Sequence, residues 1–148
     1  MNARQSQAAK RRRRRGHAVV EAALMMPWLF FVGAGVLDLG YYSYSLVALE
    51  NATRVAALHT SATTATAADA AGACTYVLRE MNGLYNTRSL TACTALPVIV
   101  TATSVNGADN SPASQVSVTY QTPQLIPLPW LAGRFTITRV VQMRINNT

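Results

Sequence analysis

From Ala18 to Leu37 the chain reads AVVEAALMMPWLFFVGAGVL, twenty residues with one charge, Glu21. At about 1.5 Å rise per helical residue that run is about 30 Å long, the thickness of a bilayer's hydrocarbon core, so it predicts a membrane-crossing helix. The helical pattern continues past the apolar run. Leu39, Tyr42, Leu46, Leu49, Thr53 and Ala56 recur at three- and four-residue steps, with Glu50 and Arg54 spaced i, i+4 on another face. One long helix is expected from near His17 to about His59, half in lipid and half out, with a partner along its outer side. Within the span, Pro27 cannot donate to the carbonyl of Ala23 and is expected to bend the helix or loosen a turn. Gly33, Ala34 and Gly35 form a small-residue patch where another helix can approach, and Tyr41, Tyr42 and Tyr44 mark the outer interface.

Beyond the long helix the pattern becomes mixed. Thr60 to Ala68 is almost entirely Ala, Thr and Ser, either a linker or a frayed continuation of the helix. Asp69 is a natural helix start. Ala70, Cys74, Val77 or Leu78, and Met81 keep helical spacing, and Asn82-Gly83 stops it. After Cys93 the period changes to two. Val98, Val100, Ala102 and Ser104 oppose Ile99, Thr101 and Thr103; Asn106-Gly107 to Pro112 is a turn region; Gln115 to Gln121 alternates again with Val116, Val118 and Tyr120 on one face. Pro123, Pro127 and Pro129 interrupt pairing through a connection that carries Trp130, and Phe135 to Ile145 gives a last strand. Three antiparallel strands bury one face, and the outer half of the long helix and the second helix are the covers available. The expected class is α+β: a long transmembrane and amphipathic helix packed on a small antiparallel sheet of about three strands, with a second short helix. The expected divisions are a basic leader over 1–16, the helix over 17–59 and a small head over 60–148.

Charge then gives this layout a direction. Net charge is +7, yet residues 1–15 hold seven positive charges and no acid, so from Gly16 onward six arginines balance six acids. The leader, without apolar periodicity, is expected to be disordered. Arg11 to Arg15 could grip phosphates, but no second basic patch or aromatic platform supports a nucleic-acid partner. Beside an apolar span the same run is a topology signal: the N-terminus stays in the cytoplasm, and everything after Leu37 lies across the membrane. The two cysteines, Cys74 and Cys93, both fall after the span. In an oxidising compartment they pair, closing a loop that on the chain-entropy model contributes about 3 kcal/mol; the alternative is two buried free thiols. Two thiols without a nearby His do not complete a zinc shell, and neither a metal nor a cofactor is expected. Two histidines, six acids and the lack of HExxH, GxSxG or a phosphate-binding glycine loop argue against an enzyme. A Ser with His59 and Asp69 is the one triad that can be imagined; His17 and His59 are expected to be structural or solvated.

Glu21 is the residue with most to explain. An unpaired carboxylate in hydrocarbon costs about 2.5 to 3.5 kcal/mol on insertion scales, so it must lie near an edge, be neutralised or be paired. A chain beginning at His17 would put an α-amino group one turn away, and in a bundle the amine of one copy could meet the Glu of the next. The alternative is an interfacial Glu that snorkels.

Gly16 followed five residues later by Glu21, between a basic leader and an apolar helix, resembles the prepilin-peptidase site of class III signal peptides. More closely, GHAVVEAALMMPWLFFVGAGVLDLG over 16–40 and LENATRVAA over 49–57 resemble the TadE-like family, minor pilins or pseudopilins of the tight-adherence (Tad, or Flp) type IV pilus. The matching positions are Gly16, Glu21, Ala23, Leu24, Pro27, Gly35, Asp38, Gly40, Asn51, Ala52, Arg54 and Ala56; Ala22 stands where the family usually has an aromatic residue. The resemblance implies a type IV pilin-like architecture and a single-pass inner-membrane protein with a periplasmic C-terminus. It implies cleavage after Gly16, exposing His17, by a prepilin peptidase. It further implies association with other pilins, pseudopilins and assembly-platform proteins in a homo- or hetero-oligomer, with incorporation into an extracellular adhesive pilus as one outcome. The competing expectation is an uncleaved single-pass anchor carrying a binding or adhesive head. A twin-arginine export signal is disfavoured, because the span is long and no small-residue cleavage site follows it closely.

Overall fold

The computed structural model describes residues 3–124 and 133–145, the side chains of 3–16 excepted. In order the elements are α1 (Ala3–Thr60), α2 (Ala70–Glu80), a 3-10 turn (Met81–Gly83), β1 (Thr94–Ala95), β2 (Val98–Asn106), β3 (Pro112–Gln121) and β4 (Thr136–Arg144). The chain divides into two compact units, Met1–Gly40 and Tyr41–Thr148. The α+β class expected from sequence is the class observed.

The first unit is the N-terminal part of α1. The helix begins at Ala3 and not near His17, so the expectation of a disordered leader is corrected over the described part of it. Ala, Gln, Lys and Arg are strong helix formers, and a leader lacking an apolar stripe can still propagate a helix that the span nucleates.

The second unit opens with the rest of α1. Its buried stripe is Ser45, Leu49, Ala52, Thr53, Ala56, Ala57 and Thr60, at three- and four-residue steps. This corrects the expected stripe at its start: Leu39 is exposed and Tyr42 and Leu46 are half-buried, whereas Leu49, Thr53 and Ala56 lie inside. Small residues dominate because the helix sits close to its cover; Thr53 and Ser45 satisfy their hydroxyls on the Leu49 and Tyr41 carbonyls one turn back. Residues 61–69 form turns, which settles the linker against a frayed helix. Asp69 caps α2 by accepting the Gly72 N–H at 2.8 Å. Ala73, Val77 and Met81 are buried, and the 3-10 turn over Met81–Gly83 follows where Asn82-Gly83 was expected to end the helix.

The sheet is an antiparallel meander of order β1-β2-β3-β4. Four strands replace the expected three, because the chain just after Cys93 forms a two-residue bridge, Thr94 with Ile99 and Ala95 with Val98. In β2 and β3 the alternation holds: Val98, Val100 and Ala102 stand opposite Tyr120, Val118 and Val116, and all six are buried. They form one core with Leu49, Ala52, Ala56 and Ala57 of α1 and Ala73, Val77 and Met81 of α2, which packs over β2. Each fully buried Val or Leu contributes about 1.5 to 3 kcal/mol by leaving water. β4 is an open edge. Ile137, Val141 and Met143 pack against the core from it, while Arg139, opposite Val118, stays exposed on the same face. A charge directed inward on an edge strand discourages pairing with a further strand. The Gly107–Ser111 turn is closed by Gly107 N–H to Ser111 O at 2.8 Å, with Asn110 at φ 61°. Pro127, Pro129 and Trp130 lie outside the described residues.

Candidate functional site

In the first unit, residues 17–32 are exposed without exception. Leu24, Trp28 and Phe30 are 75%, 72% and 73% exposed, and the helix from His17 is long and apolar enough to cross a membrane. Water does not tolerate a contiguous apolar surface of this extent, so lipid or other apolar helices must cover it. Glu21 is exposed one turn beyond His17, on the same face of α1 by its i, i+4 spacing. Gly16 lies within α1, and the helix continues on both sides of Pro27. At Gly33, Gly35 and Gly40 an added Cβ would meet nothing within 4 Å, which leaves those backbone stretches open to close approach.

The head contains the remaining candidates. Cys74 of α2 and Cys93, just before β1, form a disulfide with Cα atoms 5.7 Å apart, so the free-thiol alternative is set aside. The bridge joins α2 to the edge of the sheet. His59 and Asp69, the imagined pair of a triad, are brought together at 3.2 Å, with Tyr76 against the His59 ring at 4.7 Å between centroids. Asp69 caps α2, and Ser61, two residues from His59, donates to the Leu58 carbonyl. The Gly72 N–H holds the Asp69 carboxyl below its usual 3.8, the His59 hydrogen bond adds to this, and partial desolvation opposes it. Because the folded value lies below the unfolded one, the cap's contribution is complete above the ordinary carboxylate range and is lost as pH falls through the folded value. Asp69→Asn keeps a capping oxygen and does not titrate. Its thermal midpoint is therefore expected to fall less steeply below about pH 4 than that of the parent; parallel midpoint-against-pH curves would refute this coupling.

One set of contacts carries no sequence signal. Tyr120 at the end of β3 donates to Asn86 Oδ1 at 2.6 Å, and Asn86 Nδ2 donates to the Gln121 carbonyl at 2.8 Å. Burial, with the Tyr41 hydroxyl beside it, pushes the Tyr120 phenol up, which keeps it a donor. The Tyr85 N–H donates to the Tyr41 hydroxyl at 3.2 Å, and Tyr42 meets Phe135 edge-on at 5.4 Å. Among the described residues no three His, Cys, Asp or Glu side chains gather to hold a metal ion.

Compared with known proteins, residues 16–58 match the family model described as TadE-like protein. The match spans Gly16, Glu21 and the apolar helix, and continues into the buried stripe of the head. No curated protein and no solved structure matches the chain.

Proposed function

We propose, from a chain whose residues 16–58 are TadE-like, that the molecule is a minor pilin or pseudopilin of a tight-adherence pilus, acting in fibre assembly or structure for surface attachment. It is non-catalytic. The observation that carries this is an apolar helix without a buried residue, continuous with an ordered head, with Gly16 and Glu21 at the junction between the basic run and the apolar run.

The mechanism follows from charge and solvent. The arginine run holds the N-terminus in the cytoplasm and the head is carried across. A prepilin peptidase cleaves after Gly16, which removes seven positive charges and creates an α-ammonium group on His17, one turn from Glu21. Freed from its cytoplasmic tether, the helix exchanges lipid for neighbouring apolar helices, and a Glu21 carboxylate is matched by the amine of its own or an adjacent copy. Partners are the peptidase, other pilins or pseudopilins and the platform of the assembly machine.

The test is the intact mass and N-terminal sequence of the protein from cells with an active prepilin peptidase. A chain starting at His17 is expected, and Gly16→Trp is expected to abolish that species while Gly16→Ala reduces it at most. Full-length chain alone in those cells would overturn processing and leave an anchored head.

A further inference from the structure

The head has two dissimilar ends, and the one where the chain enters it at Tyr41 carries a surface that the pilin reading leaves unused. We propose that this end docks on anionic phospholipid headgroups of the bilayer that α1 spans, a proposal that rests on the span reading given above.

Register and hydrogen bonds define the surface. Val98, Tyr120 and Ile137 lie side by side across β2, β3 and β4, so Leu96 before β2, Gln121 after Tyr120 and Phe135 before β4 emerge at one end of the sheet. The Gln121 N–H to Pro97 carbonyl bond and the Thr122 N–H to Phe135 carbonyl bond, both 2.9 Å, hold those ends together. Asn86 brings the loop after the 3-10 turn to the same place through Tyr120 and Gln121, and Tyr85 reaches the Tyr41 hydroxyl. Tyr44 comes against Gly83 of the turn, its hydroxyl 2.7 Å from where a Cβ would stand. Tyr85, Tyr44, Leu96 and Phe135 are 74%, 54%, 49% and 42% exposed. Arg88 and Arg134 are exposed beside them, and Arg134 lines one shallow pocket with Leu96 and Asn86.

Side-chain chemistry selects the occupant. Tyrosine and phenylalanine side chains exposed among arginines match the headgroup layer, where an amphipathic ring and a cation both gain. Near this end stand Arg79, Arg88 and Arg134 against Glu80 and, one turn before Tyr41 on α1, Asp38, whereas Asp69 caps the start of α2 and Asp109 pairs with Arg144 at the β2–β3 turn, the other end of the sheet. Chain connectivity keeps this end within reach of the bilayer: Tyr41 comes four residues after Leu37, the last residue of the apolar run.

The test uses the unmodified full chain reconstituted in phosphatidylcholine vesicles with and without phosphatidylglycerol. Flotation after an alkaline wash reports the span, and hydrogen exchange at residues 84–88 and 134–136 reports docking. Slower exchange there in phosphatidylglycerol vesicles, relieved by raised salt, is expected. Each arginine adds about five-fold to affinity for an anionic surface, so Arg88→Glu with Arg134→Glu should weaken docking about twenty-fold or more, with exchange at Val100 and Val118 unchanged. Equal exchange in the two vesicle types overturns docking while flotation leaves the span standing. Protection that depends on the protein-to-lipid ratio also overturns it, because a neighbouring head is then the cover. Failure to float removes both.

Discussion

Reducing the Cys74–Cys93 bridge, or replacing both residues by Ala, is expected to lower the unfolding free energy of the head by about 3 kcal/mol. The two cysteines are 19 residues apart in sequence, and on the chain-entropy model cross-linking a loop of that size removes this much freedom from the unfolded ensemble. The position makes the effect large. Cys93 is 4% exposed within the core, and the loop it closes contains the second half of α2, the 3-10 turn and Asn86. The Val100 N–H bonds to the Cys93 carbonyl at 2.9 Å, so losing the bridge also loosens the start of the sheet. Denaturant titration of the detergent-solubilised chain, oxidised against reduced, measures it. A shared midpoint would mean that the reduced chain is held together equally well by its core, and the bridge would be reduced to a consequence of compartment.

What the sequence made legible follows from where the physics is local. Val98, Val100, Val116 and Val118 announce their strands and faces because one side of a half-buried sheet must be apolar at every second residue. Asp69 and Asn82-Gly83 bracket α2 because capping is decided within a turn. Glu21 beside Gly16 was visible because a charge inside an apolar run is expensive wherever the chain goes. Other features depend on contacts between distant residues. β1 is two residues long and has no period; its pairing comes from the strand after it. Ser45, Ala52 and Ala57 complete the buried stripe by being small, a property that a search for large apolar residues passes over. The Tyr120–Asn86 bond joins residues 34 apart, and Tyr85 and Phe135 come to one end of the head only through their contacts with Tyr41 and Tyr42 of α1. The helical leader was missed for another reason: absence of an apolar stripe excludes packing, and it does not exclude helix.

Glu21→Ala is expected to leave membrane insertion intact and to reduce co-purification with other pilus components by at least about ten-fold, with Glu21→Gln close to it. Insertion depends on the apolar run, which loses a charge and so gains in hydropathy. Assembly depends on what Glu21 meets when lipid is replaced by neighbouring helices. Removing one member of a buried, hydrogen-bonded charge pair leaves the other uncompensated and costs about 3 to 5 kcal/mol, which is more than a ten-fold change in association. In the single chain Glu21 is exposed at the surface of α1, one turn from His17, and the ion pairs among the described residues lie elsewhere, at Glu50–Arg54, His59–Asp69 and Asp109–Arg144. The pairing is thus expected to form only after cleavage, and this gives the prediction a second arm. When cleavage is blocked by Gly16→Trp, adding Glu21→Ala should reduce co-purification no further, because there is no new amine to lose. If the Glu21 variants assemble normally in a processed background, the carboxylate is an interfacial group that snorkels, and the helices are held by apolar packing and the approach at Gly33, Gly35 and Gly40 alone.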